Sequence, residues 1–280
     1  MNFEQDTLAL LALAAARRTP PRVRALHLPL AQPDDALSGA WCVLELDDGT
    51  LGLGYVRHGS SLEALQAHVT AVTGADALAL TAGFTAAPDA DGGTTRTLGF
   101  AAVHALSNWL FRGAGWAPPP ADDSVGGLRP EAGETIGMIG LFGPLVPRLL
   151  ASGAQLVVLE LRRELHGTRD DGVLVTGDAA ALAECTQVLA TGTVLLNGSF
   201  ERMRAACVAA QRFVLIGPSA GIVPDALFAR GVTELGGAWI VDPLSYLRSL
   251  AQGTKPGAAA RKFRLVAADY PGASALIERL

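Results

Sequence analysis

The side chains best suited to chemistry gather in one stretch, Thr191-Gly-Thr-Val-Leu-Leu-Asn-Gly-Ser199. It carries two threonine hydroxyls, an asparagine amide, a serine hydroxyl and two glycines. The apolar run Val188-Leu-Ala190 precedes it, and a helical pattern from Phe200 to Ala210 follows. A buried strand giving way to a helix is where α/β proteins bind ligands, because the first N–H groups of the helix are unpaired. A structural turn needs only one capping residue. The polar surplus therefore marks Thr191, Gly192, Thr193 and Asn197 as candidate ligand contacts, beside the plainer reading of a generously capped turn.

Further groups could join them. Gly137-Met-Ile-Gly-Leu-Phe-Gly143 places glycines three apart after an apolar run, with Gly140, Leu141 and Phe142 at the expected turn. Glycines there let a ligand approach the backbone, but the spacing is GxxGxxG and not the dinucleotide GxGxxG, so NAD is a poor fit. Glu160 ends the next strand-like run, where a carboxylate can accept from a ligand hydroxyl or simply face solvent beside Arg162 and Arg163. Gly217-Pro-Ser219 follows another run and offers a hydroxyl. His104 and Asn108 stand four apart, hence on one helix face, and read either as a polar pair aimed at a cleft or as satisfied core residues. His58 has the same status.

These residues need a frame. From Thr135 on, apolar runs at 136–141, 155–159, 186–190, 212–216 and 238–241 alternate with helical patterns at 145–151, 179–184, 200–210, 224–230 and 244–251. That alternation predicts a parallel sheet covered on both faces, with the turns at Gly140, Glu160, Thr191–Ser199 and Gly217–Ser219 along one edge. Residues 1–116 read differently. A first helix precedes Pro20-Pro21, three short strands follow with a hairpin turn at Asp47-Asp-Gly-Thr50, and helices lead to a long one over Thr97–Phe111. The fold expected is α/β: a small α+β domain over 1–116, a Pro/Gly-rich linker over 117–134 and a ligand-binding parallel-sheet domain over 135–280.

Composition narrows the function. The 280 residues are half hydrophobic and carry a net charge of −5, so a sizeable core is available and a basic face for nucleic acid is not. The apolar run Leu8–Ala16 has acids before it and arginines after it, the wrong polarity for secretion and too short to span a bilayer. A cytoplasmic protein with no membrane partner is expected. Cys42, Cys185 and Cys207 are far apart in sequence and form no CxxC, so they read as reduced core residues.

Taken in order, Gly137–Phe142, Thr191–Ser199, Gly217–Ser219 and Gly236-Gly-Ala-Trp-Ile-Val-Asp-Pro243 resemble the family described as putative heavy-metal chelation proteins. The resemblance covers most of 135–253. It implies a Rossmann-like C-terminal domain, an N-terminal domain like the small capping domain of enolase, and a cleft between them for a metal ion or a metal-chelating small molecule. Gly99–Leu106 is similar to the family's helix, although His104 stands where asparagine is more usual.

The expected function is thus the binding or handling of a metal chelate or small anionic ligand. Direct coordination of a soft metal is poorly supported by such scattered thiols and imidazoles. An enzyme acting on a nucleotide-like or small anionic substrate is the alternative, with Glu160, His104 or Ser219 as acid or base. No nucleophile elbow, HExxH or Walker lysine accompanies them. A module that has lost its ligand is the third reading, and the sequence leaves room for a homo-oligomer.

Overall fold

The computed structural model describes residues 2–30, 39–57, 60–88, 90–121 and 127–280; His58 lies outside them. Helix α1 (Phe3–Arg17) starts at Asn2, whose side chain accepts from Gln5 N in a capping box. Strands β1 (Val23–His27), β2 (Gly39–Leu46) and β3 (Leu51–Arg57) form an antiparallel meander in that order. The hairpin between β2 and β3 turns where the sequence predicts it: Gly49 N donates to Leu46 O, and Gly49 takes φ +81°. Helices α2 (Ser60–Gln66) and α3 (Ala77–Leu80) are short, and α4 (Thr94–Gly113) is long and almost entirely buried.

The second sheet takes up β4 (Thr135–Ile139), β5 (Gln155–Leu159), β6 (Gly167–Thr168), β7 (Leu174–Thr176), β8 (Gln187–Thr191), β9 (Arg212–Ile216), β10 (Glu234–Ile240) and β11 (Ala260–Val266). Helices α5 (Val146–Leu150), α6 (Thr193–Leu196), α7 (Phe200–Ala206), α8 (Asp225–Phe228), α9 (Pro243–Ala251) and α10 (Ala273–Glu278) connect or flank these strands. Spatial order is β11-β10-β9-β8-β4-β5-β7-β6. All neighbours pair in parallel except the outermost pairs, β10 with β11 and β6 with β7. The protein is therefore a mixed α/β molecule whose main sheet is dominated by parallel strands. From β4 the chain winds outward through β5 and β7, then returns to the other side of β4 for β8, β9 and β10. The winding direction reverses between β4 and β8.

Strand alternation sorts the core. Ile136, Met138, Leu156, Val158, Leu189 and Val214 face Val146 and Leu149 of α5. Val188, Ala190, Phe213 and Leu215 face the opposite way and join a cluster that runs on through α7, α8, α1 and α4 into β2. That cluster contains Phe3, Phe84, Phe100 and Phe200, linked edge to face. Residues 119–121, the part of the expected linker that meets the sheet, run beside β11: Arg264 N donates to Pro119 O, and Ala121 N to Lys262 O. Their backbone covers an edge that would otherwise be open. Among the described residues, no helix is long and apolar enough to cross a membrane.

Candidate functional site

The carboxyl ends of β4, β5, β8 and β9 bring Gly140, Glu160, Thr191 and Gly217 to one edge of the sheet. At the reversal point Gly140, at φ +82°, packs so tightly on Thr191 that a Cβ there would lie 3.0 Å from the threonine methyl. Only glycine suits both the left-handed backbone and the contact.

The main-chain donors of the glycine turn are already used. Gly140 N donates to Leu159 O at 2.8 Å, Leu141 N to Glu160 Oε2 at 3.1 Å, and Phe142 N to Met138 Sδ at 3.3 Å. Glu160 also accepts from Leu161 N and Arg162 N, and Arg162 Nε lies 3.4 Å from Oε1. Burial works to raise the Glu160 pKa, but Arg162 and the N–H groups of Leu141 and Arg162 outweigh it and hold the carboxyl below its ordinary value. The residue reads in the fold as an ionised internal partner of the turn.

At the end of β8 the helix starts earlier than the pattern predicts. Thr193-Val-Leu-Leu196 is already helical, because Val194, Leu195 and Leu196 all find places in the core. Thr191 Oγ1 stands 3.1 Å from Thr193 Oγ1 and accepts from Thr193 N at 3.3 Å, while Gly192 N donates to Ile216 O at 2.7 Å. Asn197 consequently sits at the far end of α6, exposed, with its Oδ1 accepting from Ser199 N and Ser199 Oγ. The structure brings Thr191, Gly192 and Thr193 together and leaves Asn197 one helical turn away.

Gly217, at φ +151°, and Pro218 turn the chain out of β9, and a Cβ on Gly217 would be 3.5 Å from Gly192 N. The next residue, Ser219, is 0% exposed, and its Oγ has no hydrogen-bond partner. Native proteins rarely leave a buried hydroxyl unsatisfied, so this one calls for a ligand or water.

His104 belongs to α4. Gly52 and Gly54 of β3 let that helix lie directly on the strand; a Cβ on Gly52 would be 2.2 Å from Ala101 O. Three side chains on this helix face then serve the outer edge of β3: Asn108 Nδ2 donates to Leu51 O at 2.9 Å, Leu53 N donates to His104 Nδ1 at 2.7 Å, and Thr97 Oγ1 donates to Tyr55 O at 3.3 Å. His104 is 1% exposed, and burial lowers its pKa from 6.5 to about 3. With Nδ1 accepting in a neutral ring, Nε2 carries the proton, so His104 has no lone pair left for a metal. That Nε2–H is unpartnered and faces Gly221, two residues beyond Ser219.

Sequence reasoning gave no signal for Arg96. Its guanidinium is 4% exposed and pairs with Glu4, donates to Leu195 O and Leu196 O at the end of α6, and donates to Ala86 O at 2.9 Å. It lies 5.1 Å over the Phe84 ring. This one side chain ties α1 and α4 to the helix that begins at Thr193. Among the described residues, no group of three or more His, Cys, Asp or Glu side chains could hold a metal ion.

Comparison with known proteins agrees with this frame. Residues 125–269 match the model of the DUF364 family, described as putative heavy-metal chelation. The chain belongs to this family. A DUF364 protein of unknown function from Desulfitobacterium hafniense is 18% identical, with a TM-score of 0.69 over 94% of this chain and 98% of that one. Another, from Pyrococcus horikoshii, is 19% identical, with a TM-score of 0.65 over 93% and 99%. An enolase from the Sargasso Sea environmental genome reaches a TM-score of only 0.37 at 16% identity, over 77% of each chain, too distant to carry an argument. A search of the curated proteins gave no match.

Proposed function

We propose that the protein binds a small oxygen-rich ligand, a metal chelate above all, at the edge between β4 and β8. The observation that carries this reading is the buried, unpartnered Ser219 hydroxyl, in the turn whose next residue, Ala220, packs against Gly192 between the paired Thr191 and Thr193 hydroxyls. Hydroxyls can both donate to and accept from a ligand, and they lie where the winding of a Rossmann-like sheet leaves its crevice. The family description, putative heavy-metal chelation, is consistent with a metal-related ligand. A bare ion fits less well, since no cluster of metal-binding side chains exists among the described residues. The metal would have to bring its own ligands. A small phosphate-like anion also fits less well: the N–H groups at Gly140, Leu141 and Phe142 are spent, and Glu160 adds negative charge. The N-terminal unit, enolase-like in this reading, would wall the site through α4, whose His104 Nε2 faces Gly221.

Isothermal titration tests this directly. Metal-stripped protein should give heat with Ni(II)–citrate, Fe(III)–citrate or Ni(II)–histidine and none with Ni(II) alone. Silence with all three chelates would refute the proposal.

The second reading is an enzyme acting on a nucleotide-like substrate. It draws on the strand order around β4 and on the carboxylate at the end of β5. A thermal shift with nucleotides or S-adenosylmethionine, absent with metal chelates, would favour it.

A further inference from the structure

Two segments without a charged side chain, residues 7–16 of α1 and residues 77–88 from α3 onward, meet at the surface. Helix α1 turns Leu11 and Ala14 into the core and leaves Ala9, Ala12, Leu13 and Ala16 exposed on its outer face. Leu13 stands 60% exposed in the middle of that face. Ala79 and Ala82 are exposed on the other segment.

A groove of about 410 Å³ runs between them, walled by Ala12, Ala16, Pro20 and Leu78. Pro20-Pro21 opens it, because the prolines end α1 and carry the chain aside before β1 begins at Val23. Two charges of opposite sign, Arg22 and Asp76, also line it, and among the described residues neither makes an ion pair. Arg22 donates through Nη1 to Gly74 O at 2.8 Å. Asp76 caps α3 through Oδ1, which accepts from Leu78 N at 2.8 Å and Ala79 N at 3.2 Å, so its Oδ2 stays open. None of these residues belongs to the β4–β8 edge.

We propose that this face is the interface of a homodimer, in which two copies meet about a two-fold axis and Leu13 of each enters the groove of the other. Apolar surface beside a groove marks a contact site on a folded protein. The charges choose the partner. A two-fold contact repeats every pair with the roles exchanged. Arg22 of each copy therefore meets the partner's Asp76, and both unpaired charges find an opposite. A partner with a uniformly acidic or basic face would set Asp76 or Arg22 against like charge. Leu13 and the groove supply the affinity, and the two ion pairs at the rim fix the register.

Sedimentation equilibrium of the whole protein tests this, with monomer and dimer as the species expected. Leu13→Glu should weaken association by more than about 30-fold, as the loss of a central apolar contact does, and circular dichroism should show the fold unchanged. Arg22→Glu and Asp76→Lys each set like charges together twice, so each alone should stay monomeric where the wild type is dimeric. Mixed, the two variants restore both opposite-charge pairs and should form a heterodimer. The wild type gives a readout free of any folding effect: amide exchange in α1 and at the start of α3 should slow as the protein is concentrated. A monomer at every concentration, a dimer that Leu13→Glu leaves as tight as before, or folded charge variants that do not associate when mixed would overturn the proposal.

Discussion

Leu53 N–H donates to His104 Nδ1 at 2.7 Å, and this bond fixes the chemistry of the histidine. The ring is neutral with its proton on Nε2, and its Nδ1 lone pair completes the outer edge of β3, together with Asn108 and Thr97 on the same helix face. Its pKa, lowered by burial to about 3, makes the protein sensitive to acid. The unfolded chain takes up a proton near 6.5 and the folded one does not until about 3, so between these values the unfolded state binds more protons. Stability from this residue is whole above 6.5 and falls by about 1.4 kcal/mol per pH unit below it. Urea denaturation from pH 7.5 to 4.5 should show that slope in the wild type and a shallower one in His104→Asn. Equal slopes would contradict the assignment.

Arg96 should be among the costliest residues to remove. Arg96→Met leaves Glu4 charged and buried and strips the caps from Leu195 O and Leu196 O, a loss of about 3–5 kcal/mol. Adding Glu4→Gln should recover part of it. A double-mutant cycle by chemical denaturation measures the coupling, and strict additivity would mean that the pair does not act as a unit.

Gly52→Ala should destabilise by more than about 2 kcal/mol, since its Cβ would strike the α4 backbone at Ala101 O and Ala105 N, neither of which can swing aside. Gly143→Ala, with open space around it, should change the thermal midpoint little.

Ser219→Ala separates folding from binding. Removing a buried hydroxyl that has no partner costs little and can stabilise the free protein, by up to about 1 kcal/mol. The same change should abolish or sharply reduce the heat of chelate binding. A large loss of stability with binding intact would place the hydroxyl in the core and outside the site.

Much of this architecture was legible in the residues. Short apolar runs located β4, β5, β8 and β9 and the end of β10 in the main sheet, and Asp47-Asp-Gly-Thr50 located the hairpin, because both signals are local. The helix start at Thr193 was not, since Val194, Leu195 and Leu196 extend an apolar run that reads equally as strand or helix, and only the core around them decides. The face shared by His104 and Asn108 was readable from their spacing. What that face meets depends on Gly52 and Gly54, fifty residues away in sequence and silent until the strand is packed against the helix. Arg96 sits among ordinary helical residues, and three of its four partners, Glu4, Leu195 and Leu196, come from two distant parts of the chain.

The central claim is a ligand at the β4–β8 edge, and a crystal structure of the protein with Fe(III)–citrate tests it most directly. The account predicts ordered density at that edge, within hydrogen-bonding reach of Ser219 Oγ and Thr193 Oγ1, with the metal held by the citrate. An empty edge at saturating chelate, or density held only elsewhere on the molecule, would contradict it.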